Sequence, residues 1–555
     1  MKRIIVLIIF IFSFLTSFAE SHPSLNKTDT SELVKICKVW GFLKYHHPAL
    51  ATGKIDWDQE LINLLNKTHE GHGKQYINHL LENLTDALGK VRDNKANHTY
   101  NYRQATLLPD NSWIYDTTKL GNTLSKKLIQ IESVKRKKNS YYFQYIKEEG
   151  LAIPTNEKSY QDTCLDEGFR LLSLFRFWNV IQYYYPYKEA IGEPWDSILY
   201  QYIPKFINIT TNKEYILTLM NLTAEVKDAH ISVKDQESVF GVYTIPLIIS
   251  FIENRYVVTG YYLKALYDNC PINIGDEILE INEKPVSNII NELLPYCSDV
   301  NTPTKFRIAC DKLVLTDKTE ISLKISNQYG VTIKNIVTTP SCQINSKARF
   351  QEERAPVIIK DSIAYIYIGS LTNEILEGNI SEILNSIGVI IDLRGYPIDD
   401  AIGNLLDYFL PKEHIKFYQT SMPNIAFPGV FNFEKDNPSF YIFSERKESY
   451  SGRLVVLVDE RTQSTSEFYA MMASVIPNKI IIGSQTAGSD GPAVPLILPN
   501  NVLVKYTAVG VYYPDYSKTQ RIGISRDEDV FRTIAGVRSG IDPLIKRGVE
   551  IIKIF

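Results

Sequence analysis

The spacing of hydrophobic and polar residues changes along the chain and predicts three kinds of region. Apolar residues recur at helical spacing in LLSLFRFWNVIQYYYPY (171–187), and Pro186 ends that run. Between about 240 and 340 the pattern is typical of strands, as in IPLIISFIENRYVVTGYY (245–262). From 355 onward, strand-like and helix-like runs alternate. We therefore predict a multidomain protein with a helical region, a β module and an α/β region.

The last third of the chain predicts an α/β domain with a largely parallel sheet. It contains four strand-like runs and a helix-like run at 466–476; the strand-like runs are 363–371, 388–395, 453–460 and 479–488. Ligands of such sheets bind beyond the carboxyl ends of the strands. Three turns lie at such ends, namely Arg394–Pro397, Thr462–Glu467 and Thr486–Gly491. Candidate chemistry is expected at these turns.

The helical region contains a duplication. Residues 40–61 and 178–199 match at an offset of 138, and each predicts a helix, a turn with proline and a second helix. Six positions carry the same residue in both copies: Trp40/Trp178, Tyr45/Tyr183, Pro48/Pro186, Trp57/Trp195, Asp58/Asp196 and Leu61/Leu199. Core packing between helices is the ordinary explanation of such aromatic residues. The polar segment from about 98 to 160 predicts short strands and loops.

The two copies differ beyond their helices. Asp93 and Asp228 correspond, but the first copy has Lys95 where the second has His230. An imidazole in one copy only indicates that the second copy was adapted for chemistry. A lone histidine is nevertheless more often structural, so this comparison leaves both readings of His230 open.

The segment Ile274–Val286 (IGDEILEINEKPV) predicts a turn, a short apolar strand and a polar turn. This run resembles the core of a PDZ domain, although a generic β-hairpin gives a similar pattern. A PDZ domain binds a peptide as an added strand and holds its C-terminal carboxylate with backbone N–H groups.

The first 19 residues have the pattern of a signal peptide. Lys2 and Arg3 precede an apolar run from Ile4 to Leu15, and Ser17–Ala19 fits a cleavage site. An uncleaved anchor is the alternative. We expect an exported protein, in a bacterial periplasm or outside the cell. The predicted divisions are 1–19 (signal peptide), 20–239 (duplicated helical region ending in a strand that bears His230), 240–345 (PDZ-like domain) and 346–555 (catalytic domain).

Composition excludes several classes of function. The formal net charge is −3, with 60 Lys+Arg against 63 Asp+Glu, so no basic excess favours nucleic acid. Six cysteines in 555 residues are too few for a disulfide scaffold, and their pairing cannot be deduced. The nine histidines form no H-E-x-x-H motif and no phosphate loop is present, so we expect neither a metal nor another cofactor.

Ser464 lies where a buried strand runs into a helix. Helix N-terminal N–H groups beside such a serine suit a developing oxyanion. The local alternative is a helix cap, because Ser464 followed by Glu467 is a capping-box pattern.

The order of motifs resembles the C-terminal processing, or tail-specific, serine peptidases and their tricorn-like relatives. It runs from D-A-H-I-S (228–232) through the PDZ-like core to D-L-R-G (392–395), T-x-S-x-x-E (462–467) and T-A-G-x-D-G (486–491). The resemblance implies a peptidase core of the ClpP/crotonase-like type, with Ser464 as the nucleophile. It also implies oxyanion donors at the backbone N–H groups of Gly395 and Thr465.

The general base departs from many relatives, which carry a lysine where this chain has Ser489. The tricorn-like branch uses a histidine well before the nucleophile, and that resemblance implies His230 as the base. Imidazole suits the task because it titrates near neutral pH. A third group should orient it. Gln520, where the tricorn-like pattern has a glutamate, and Asp228 are the main candidates, with Asp490 as a further one.

The sequence therefore predicts an exported serine endopeptidase that cleaves peptides or unfolded C-terminal protein segments. Ser464 would form an acyl-enzyme with His230 as the base. Peptide substrates held by the PDZ-like module are the expected partners. The alternatives are an inactive relative that binds apolar ligands or peptides, and an interaction scaffold.

Overall fold

The structure of the protein is a computed structural model. It describes residues 29–70, 73–91, 105–134, 140–146, 149–163, 166–234, 236–263, 266, 270–298, 300–344, 354–435, 437–446 and 450–554. The predicted signal peptide, Asp93, Lys95 and Cys164 lie outside the described residues.

The N-terminal region is mainly helical. Its helices are α1 (Thr30–His46), α2 (Trp57–Lys67), α3 (Lys74–Ala87), α4 (Thr117–Glu132), α5 (Glu167–Tyr184), α6 (Trp195–Ile207) and α7 (Asn212–Ala224). Short strands β1 (Ala105–Leu107), β2 (Phe143–Ile146) and β3 (Leu151–Pro154) lie between them. The prediction of only strands and loops from 98 to 160 was wrong for α4. Its buried residues Leu120, Leu124 and Leu128 recur every four positions, and the polar residues around them obscured that spacing.

The two matching segments make the same pair of hydrogen bonds. The Trp40 indole donates to the Trp57 carbonyl at 2.9 Å, and the Trp57 indole donates back to the Trp40 carbonyl at 3.0 Å. Trp178 and Trp195 repeat this arrangement at 2.9 and 3.0 Å. Each pair fixes the start of the second helix of its unit against the first helix, because a buried indole N–H needs an acceptor.

A buried charge cluster joins the helical region to the rest of the molecule. Lys44 contacts Glu157 at 2.7 Å, and Arg176 contacts Asp58 at 2.7 Å. Arg176 also donates to the carbonyl of Ile497 at 2.8 Å, in a hairpin of the C-terminal region. Because each charge has a partner, the cluster offsets the cost of burial and holds the two regions in one orientation.

The segment from 237 to 344 is a β module with helices. Its strands are β5 (Tyr243–Thr244), β6 (Leu247–Ile252), β7 (Arg255–Tyr261), β8 (Glu277–Ile281), β9 (Lys284–Pro285), β10 (Leu315–Thr316), β11 (Glu320–Asn327), β12 (Gly330–Val337) and β13 (Thr339–Pro340). Its helices are α8 (Glu237–Phe240), α9 (Val286–Leu293) and α10 (Thr302–Leu313). The main sheet has the order β12-β11-β8-β7-β6, so β6 is an edge strand.

The C-terminal region is built on a six-stranded sheet. Its order is β14 (Val357–Lys360), β15 (Ile363–Tyr367), β16 (Gly388–Asp392), β21 (Arg453–Val458), β22 (Lys479–Gly483) and β26 (Glu528–Asp529). All neighbours are parallel except β14 and β15. Helices α11 (Asn373–Leu384), α12 (Ala401–Leu406) and α13 (Thr465–Ser474) cover one face, while α14 (Ile534–Ser539) and α15 (Pro543–Lys553) follow the last strand. Helix α15 covers the opposite face of the sheet. The predicted parallel sheet and the helix after the third strand-like run both agree with this architecture.

Smaller sheets connect the regions. Strand β4 (Ser232–Val233), from the end of the helical region, pairs with β24 (Val502–Thr507), which pairs with β23 (Ala493–Leu498). A further sheet joins β1 to β18 (Gln419–Pro423), β19 (Phe431–Phe433) and β25 (Gly510–Tyr512), and β17 (Ile415–Lys416) pairs with β20 (Tyr441–Ile442). The β4–β24 pairing places the segment of His230 against the C-terminal region. None of the described helices is both long enough and apolar enough to cross a bilayer.

Candidate active site

Ser464 has a backbone conformation that serine rarely adopts. It follows β21 and immediately precedes α13, with φ 57° and ψ −123°. A positive φ costs a residue with a Cβ free energy, and such outliers concentrate at functional sites. The Ser464 N–H donates to the Ser489 carbonyl at 3.1 Å and to Glu467 Oε2 at 3.3 Å. These contacts hold a half-buried serine at the N-terminus of a helix.

Glu467 does more than cap the helix. Its buried carboxylate accepts hydrogen bonds from Thr486 Oγ1 at 2.5 Å, Gly488 N at 2.8 Å and Ser489 N at 3.0 Å, besides the one from Ser464. Burial raises the pKa of Glu467, and these donors oppose the rise. The capping-box prediction is therefore consistent with the structure, but the same carboxylate also fixes the 486–489 turn beside Ser464.

The turn after β16 reaches the same helix terminus. The Ser466 hydroxyl donates to the Gly395 carbonyl at 2.7 Å, and the Tyr396 and Thr465 hydroxyls are 3.3 Å apart. A Cβ at Gly395 would lie 2.6 Å from the Tyr367 hydroxyl oxygen, so a side chain there would displace the turn. The structure thus brings Gly395 and Thr465, the two predicted oxyanion donors, to one place beside Ser464.

A buried ion-pair network supports this turn. Arg394 contacts Asp392 at 2.7 Å and Asp542, which caps the last helix, at 2.8 Å. Burial alone would raise the pKa of Asp392, but the adjacent Arg394 guanidinium lowers it overall. The D-L-R-G motif therefore anchors the Gly395 turn to the last helix through charge.

His230 lies in a turn that precedes β4, so the expectation that it sits on the strand itself was wrong. The reason is local: the His230 N–H donates to Asp228 Oδ1 at 2.9 Å, and that bond closes a tight turn. The imidazole Nδ1 lies 3.1 Å from Thr507 Oγ1 and 3.3 Å from Ser489 Oγ. The side chain is 12% exposed.

Burial of His230 favours the neutral imidazole. Burial lowers its pKa, Asp228 opposes that change, and Lys505 lowers the pKa further. Lys505 belongs to β24, opposite Ser232 of β4, which brings its charge near the imidazole. A neutral imidazole at physiological pH can accept a proton, as a general base must.

Ser489 joins the two halves of the site. Its backbone carbonyl accepts from Ser464, while its hydroxyl contacts His230 and donates to Asp228 Oδ1 at 2.5 Å. Asp228 itself lies 3.7 Å from His230 Nδ1. Ser464, His230 and Asp228 are thus connected through one residue. The sequence offered Ser489 only as the replacement of a lysine, and Thr507 gave no signal at all.

Gln520 does not orient the imidazole, so that candidate was wrong. Its side chain is buried, and neither its amide oxygen nor its amide nitrogen has a hydrogen-bond partner within the part of the chain that the structure describes. The backbone explains the difference: the next residue, Arg521, has φ 66° and donates its N–H to the Gly488 carbonyl, so this segment packs under the 486–489 turn.

Asp490 is also buried without an ion-pair partner among the described residues. Its Oδ1 accepts from the Gly491 N–H at 2.7 Å, and its Oδ2 has no hydrogen-bond partner in the described ranges. Burial, with a smaller contribution from the charge of Glu467, raises the pKa of Asp490 to about 8. Asp490 therefore belongs beneath the site, and its proposed contact with the imidazole does not occur. Within the described ranges, no group of three or more His, Cys, Asp or Glu side chains has a metal-binding arrangement.

A groove of about 600 Å³ lies between the β module and the C-terminal sheet. Edge strand β6 and helix α10 form one wall, where Phe251 and Phe306 stack at 4.2 Å. Arg461 and Gln485 lie on the other wall. Arg307 of α10 donates to Gln463 Oε1 at 2.6 Å, one residue before Ser464. The β module thus contacts the candidate nucleophile segment directly.

The fold and this site define a class: an α/β core that presents a serine at a helix N-terminus, with an imidazole connected to it through Ser489. Comparison with protein families agrees. Residues 362–530 match the model of peptidase family S41, and residues 242–355 match a PDZ domain model. The chain therefore contains a family S41 peptidase domain and a PDZ domain, and it is a serine peptidase.

Solved structures are similar to this chain at low sequence identity, and the fold of mature CPAF is shared over much of its length. Mature CPAF is 13% identical with a TM-score of 0.54, covering 70% of this chain and 97% of its own. A putative peptidase from Parabacteroides merdae is 15% identical with a TM-score of 0.42, covering 70% and 96%. The photosystem II D1 C-terminal processing protease is 15% identical with a TM-score of 0.40, covering 66% and 93%. None of the curated proteins compared with this chain matches it.

Proposed function

We propose that this protein is an exported serine endopeptidase that cleaves peptides or unfolded C-terminal protein segments through an acyl-enzyme. One observation supports this most directly. Ser464, in a strained conformation at a helix N-terminus, is linked through Ser489 to a mostly buried imidazole whose pKa is lowered. A positioned serine and a neutral imidazole are the two parts that nucleophilic acyl transfer requires.

In the proposed mechanism, Ser464 Oγ attacks the scissile carbonyl carbon while His230 Nε2 takes the hydroxyl proton. The backbone N–H groups of Gly395 and Thr465 bind the oxyanion. His230 then gives the proton to the leaving amine, and the acyl-enzyme remains on Ser464. Water hydrolyses that ester, with His230 again acting as the base.

The PDZ domain is proposed to hold the substrate. Because β6 is an edge strand, an extended peptide can add to it as a further strand, with apolar side chains against Phe251 and Phe306. The contact between Arg307 and Gln463 means that such a peptide lies close to the segment of Ser464. A C-terminal carboxylate in this groove would present the chain end of an unfolded protein.

The remaining assignments are proposals of the same kind. We propose a signal peptide at 1–19 and export to a periplasm or the cell exterior, a helical region to 239, a PDZ domain at 240–345 and a catalytic domain at 346–555. The core is proposed to be of the ClpP/crotonase-like type. The equal Trp pairs support an internal duplication of the helical region.

The test is labelling of residues 20–555 with a fluorophosphonate serine probe. Ser464→Ala and His230→Ala run beside the wild type, and Ser125→Ala, a buried serine in α4 that donates to the Ile114 carbonyl, is the matched control. We expect labelling of the wild type and the control, none with Ser464→Ala, and a loss of about 10²-fold or more with His230→Ala. Folded wild-type protein that never labels, with or without added peptide, would favour a binding protein.

A further inference from the structure

Three side chains form a buried group around His230 that the proposed mechanism leaves partly unused. Asp228, Ser489 and Thr507 are each completely buried, and all contact the imidazole or one another. Asp228 Oδ1 receives two hydrogen bonds, from the His230 N–H and from the Ser489 hydroxyl. It reaches the imidazole nitrogen only at 3.7 Å, which is beyond hydrogen-bond length.

The direction of each hydrogen bond follows from the donors available. A carboxylate only accepts, and a serine hydroxyl has one hydrogen to give. Because the Ser489 hydroxyl donates to Asp228 at 2.5 Å, its oxygen can only accept from His230 Nδ1. Placing the hydrogen of the neutral imidazole on Nδ1 lets both Ser489 Oγ and Thr507 Oγ1 accept it and leaves the lone pair on Nε2. That tautomer is the one a base for Ser464 needs.

We propose that Ser489 is a positioning residue whose hydroxyl connects the Asp228 carboxylate to His230 through two hydrogen bonds. This connection sets the imidazole tautomer and stabilises the imidazolium that forms during catalysis. This inference rests on the proposed function, because it assigns a role to residues of the same site. No proton passes through Ser489: the hydroxyl keeps its hydrogen on the bond to Asp228 throughout. Thr507 Oγ1, at 3.1 Å, shares the Nδ1 hydrogen and limits rotation of the ring.

The relay accounts for the absence of the usual lysine. Ser489 occupies the position where many relatives have their basic residue, and here a hydroxyl at that position serves a base supplied from elsewhere. The same residue receives its backbone geometry from Glu467, through the bond to its N–H at 3.0 Å. The short side chain of Ser489 leaves space for the imidazole, 3.3 Å away, whereas a lysine side chain would fill that space.

Other charged groups around the site set the background for any pH measurement. Lys505 of β24 lowers the pKa of His230, and Asp228 raises it. Behind Asp228 lies Tyr185, whose pKa is raised by burial and then by the Asp228 charge. Beneath Ser489 lie Glu467 and Asp490, whose pKa values are both raised. The experiment therefore compares variants at matched pH and reads differences between profiles.

The test is a double-mutant cycle on the rate of fluorophosphonate labelling, followed from pH 5 to 9. In Asp228→Asn the amide oxygen can still accept from the His230 N–H and the Ser489 hydroxyl, because both bonds end on Oδ1, so the change removes the negative charge and keeps the hydrogen bonds. We expect a loss of about 100-fold, because the imidazolium loses the relayed charge. Ser489→Ala should lose about 10- to 100-fold and move the acid limb of the profile to lower pH, because the imidazolium loses the relayed carboxylate. In Ser489→Ala/Asp228→Asn the connection through the Ser489 hydroxyl is already broken, so Asp228→Asn should cost less than 10-fold in that background.

Ser489→Thr keeps the hydroxyl and should restore most of the rate and the wild-type profile, which a loss of packing alone would not explain. Thermal unfolding of each variant confirms that it is folded, and Ser125→Ala again serves as the remote control. Equal costs of Asp228→Asn in both backgrounds, or an unmoved acid limb in folded Ser489→Ala, would overturn the relay. A folded wild type that fails to label would instead overturn the proposed function, so the two failures are distinct.

Discussion

The nucleophile side and the base side of this site are assembled in different ways. Ser464, Glu467 and the Gly395 turn come from the ends of adjacent parallel strands, β16 and β21, within one domain. Asp228 and His230 come from a turn after α7, and His230 meets a residue 259 positions further along the chain. The nucleophile side is placed by the neighbouring strands of one sheet. The base side comes from a distant part of the chain and is placed by the pairing of β4 with β24.

The difference shows why Ser489 matters to both sides. Its backbone belongs to the nucleophile side, since its N–H binds Glu467 and its carbonyl binds the Ser464 N–H. Its hydroxyl belongs to the base side, through Asp228 and His230. The distance between nucleophile and base is therefore controlled by one short turn, and each side can be perturbed separately.

Glu467→Ala should cause the largest effect, and it should fall on the nucleophile side. The change removes the acceptor of four donors, and two of them, the Gly488 and Ser489 N–H groups, are buried backbone donors. We expect a loss of about 3–5 kcal/mol in the free energy of unfolding and the disappearance of labelling at Ser464. Urea unfolding and fluorophosphonate labelling measure the two effects.

The matched change on the base side is Asp228→Ala. It removes an acceptor of two donors, so its stability cost should be clearly smaller while labelling still falls strongly. If Asp228→Ala proved as destabilising as Glu467→Ala, the two carboxylates would share one structural role and the comparison between the sides would fail.

The nucleophile side was largely predictable from sequence, and the base side was not. The strand-end turn pointed to Ser464, the capping-box pattern with Glu467 gave the alternative explanation of the same serine, and the family resemblance assigned it as the nucleophile. The bond between Ser489 and Asp228 joins residues 261 positions apart, and no local pattern encodes it. The duplication drew attention to His230 without deciding its role, and the family resemblance assigned it as the base. Gln520 failed as a candidate because a matching motif position does not fix where a side chain points.

The elements of the fold also fall into those that the sequence predicts and those that it does not. The parallel strands of the C-terminal sheet were predictable because each is a continuous apolar run buried on both faces. Helix α4 was missed, because its apolar stripe is narrow and Gly121, at φ 76°, interrupts it. The partners of β4 could not be foreseen, since two residues carry too little pattern to choose a neighbour.

Asp490→Asn should stabilise the protein at alkaline pH. This substitution tests the turn that carries Ser489 and connects the nucleophile side to the base side. The pKa of Asp490 is raised from 3.8 to about 8, so the folded state holds a proton that the unfolded state releases above pH 4. Stability therefore falls as pH rises from about 4 to about 8. Asparagine keeps the acceptor for the Gly491 N–H and carries no charge. We expect a gain of about 2 kcal/mol or more at pH 8 and little change at pH 4.5, measured by urea unfolding.

Asp515→Asn is the control for this measurement. Asp515 is exposed, and hydrogen bonds from the Ser517 hydroxyl and N–H lower its pKa, so its substitution should not stabilise the protein at pH 8. A stability profile of Asp490→Asn that runs parallel to the wild type would show that Asp490 is charged in the folded protein at neutral pH.

The smallest expected effect distinguishes the two matching helical units, residues 40–61 and 178–199, by their influence on the base side. Trp57→Phe and Trp195→Phe each delete one indole donor and leave the carbonyl of Trp40 or Trp178 without that bond. Both should lower the free energy of unfolding by about 1–2 kcal/mol, because the contacts are equivalent. Only Trp195 begins α6, the helix that precedes α7 and the Asp228–His230 turn. We therefore expect labelling at Ser464 to slow about 2- to 5-fold in Trp195→Phe and to stay unchanged in Trp57→Phe, since a shift of the base lowers its catalytic contribution. Equal slowing in both variants would mean that both helical units position His230 to the same extent, and that the second unit has no particular role in placing it.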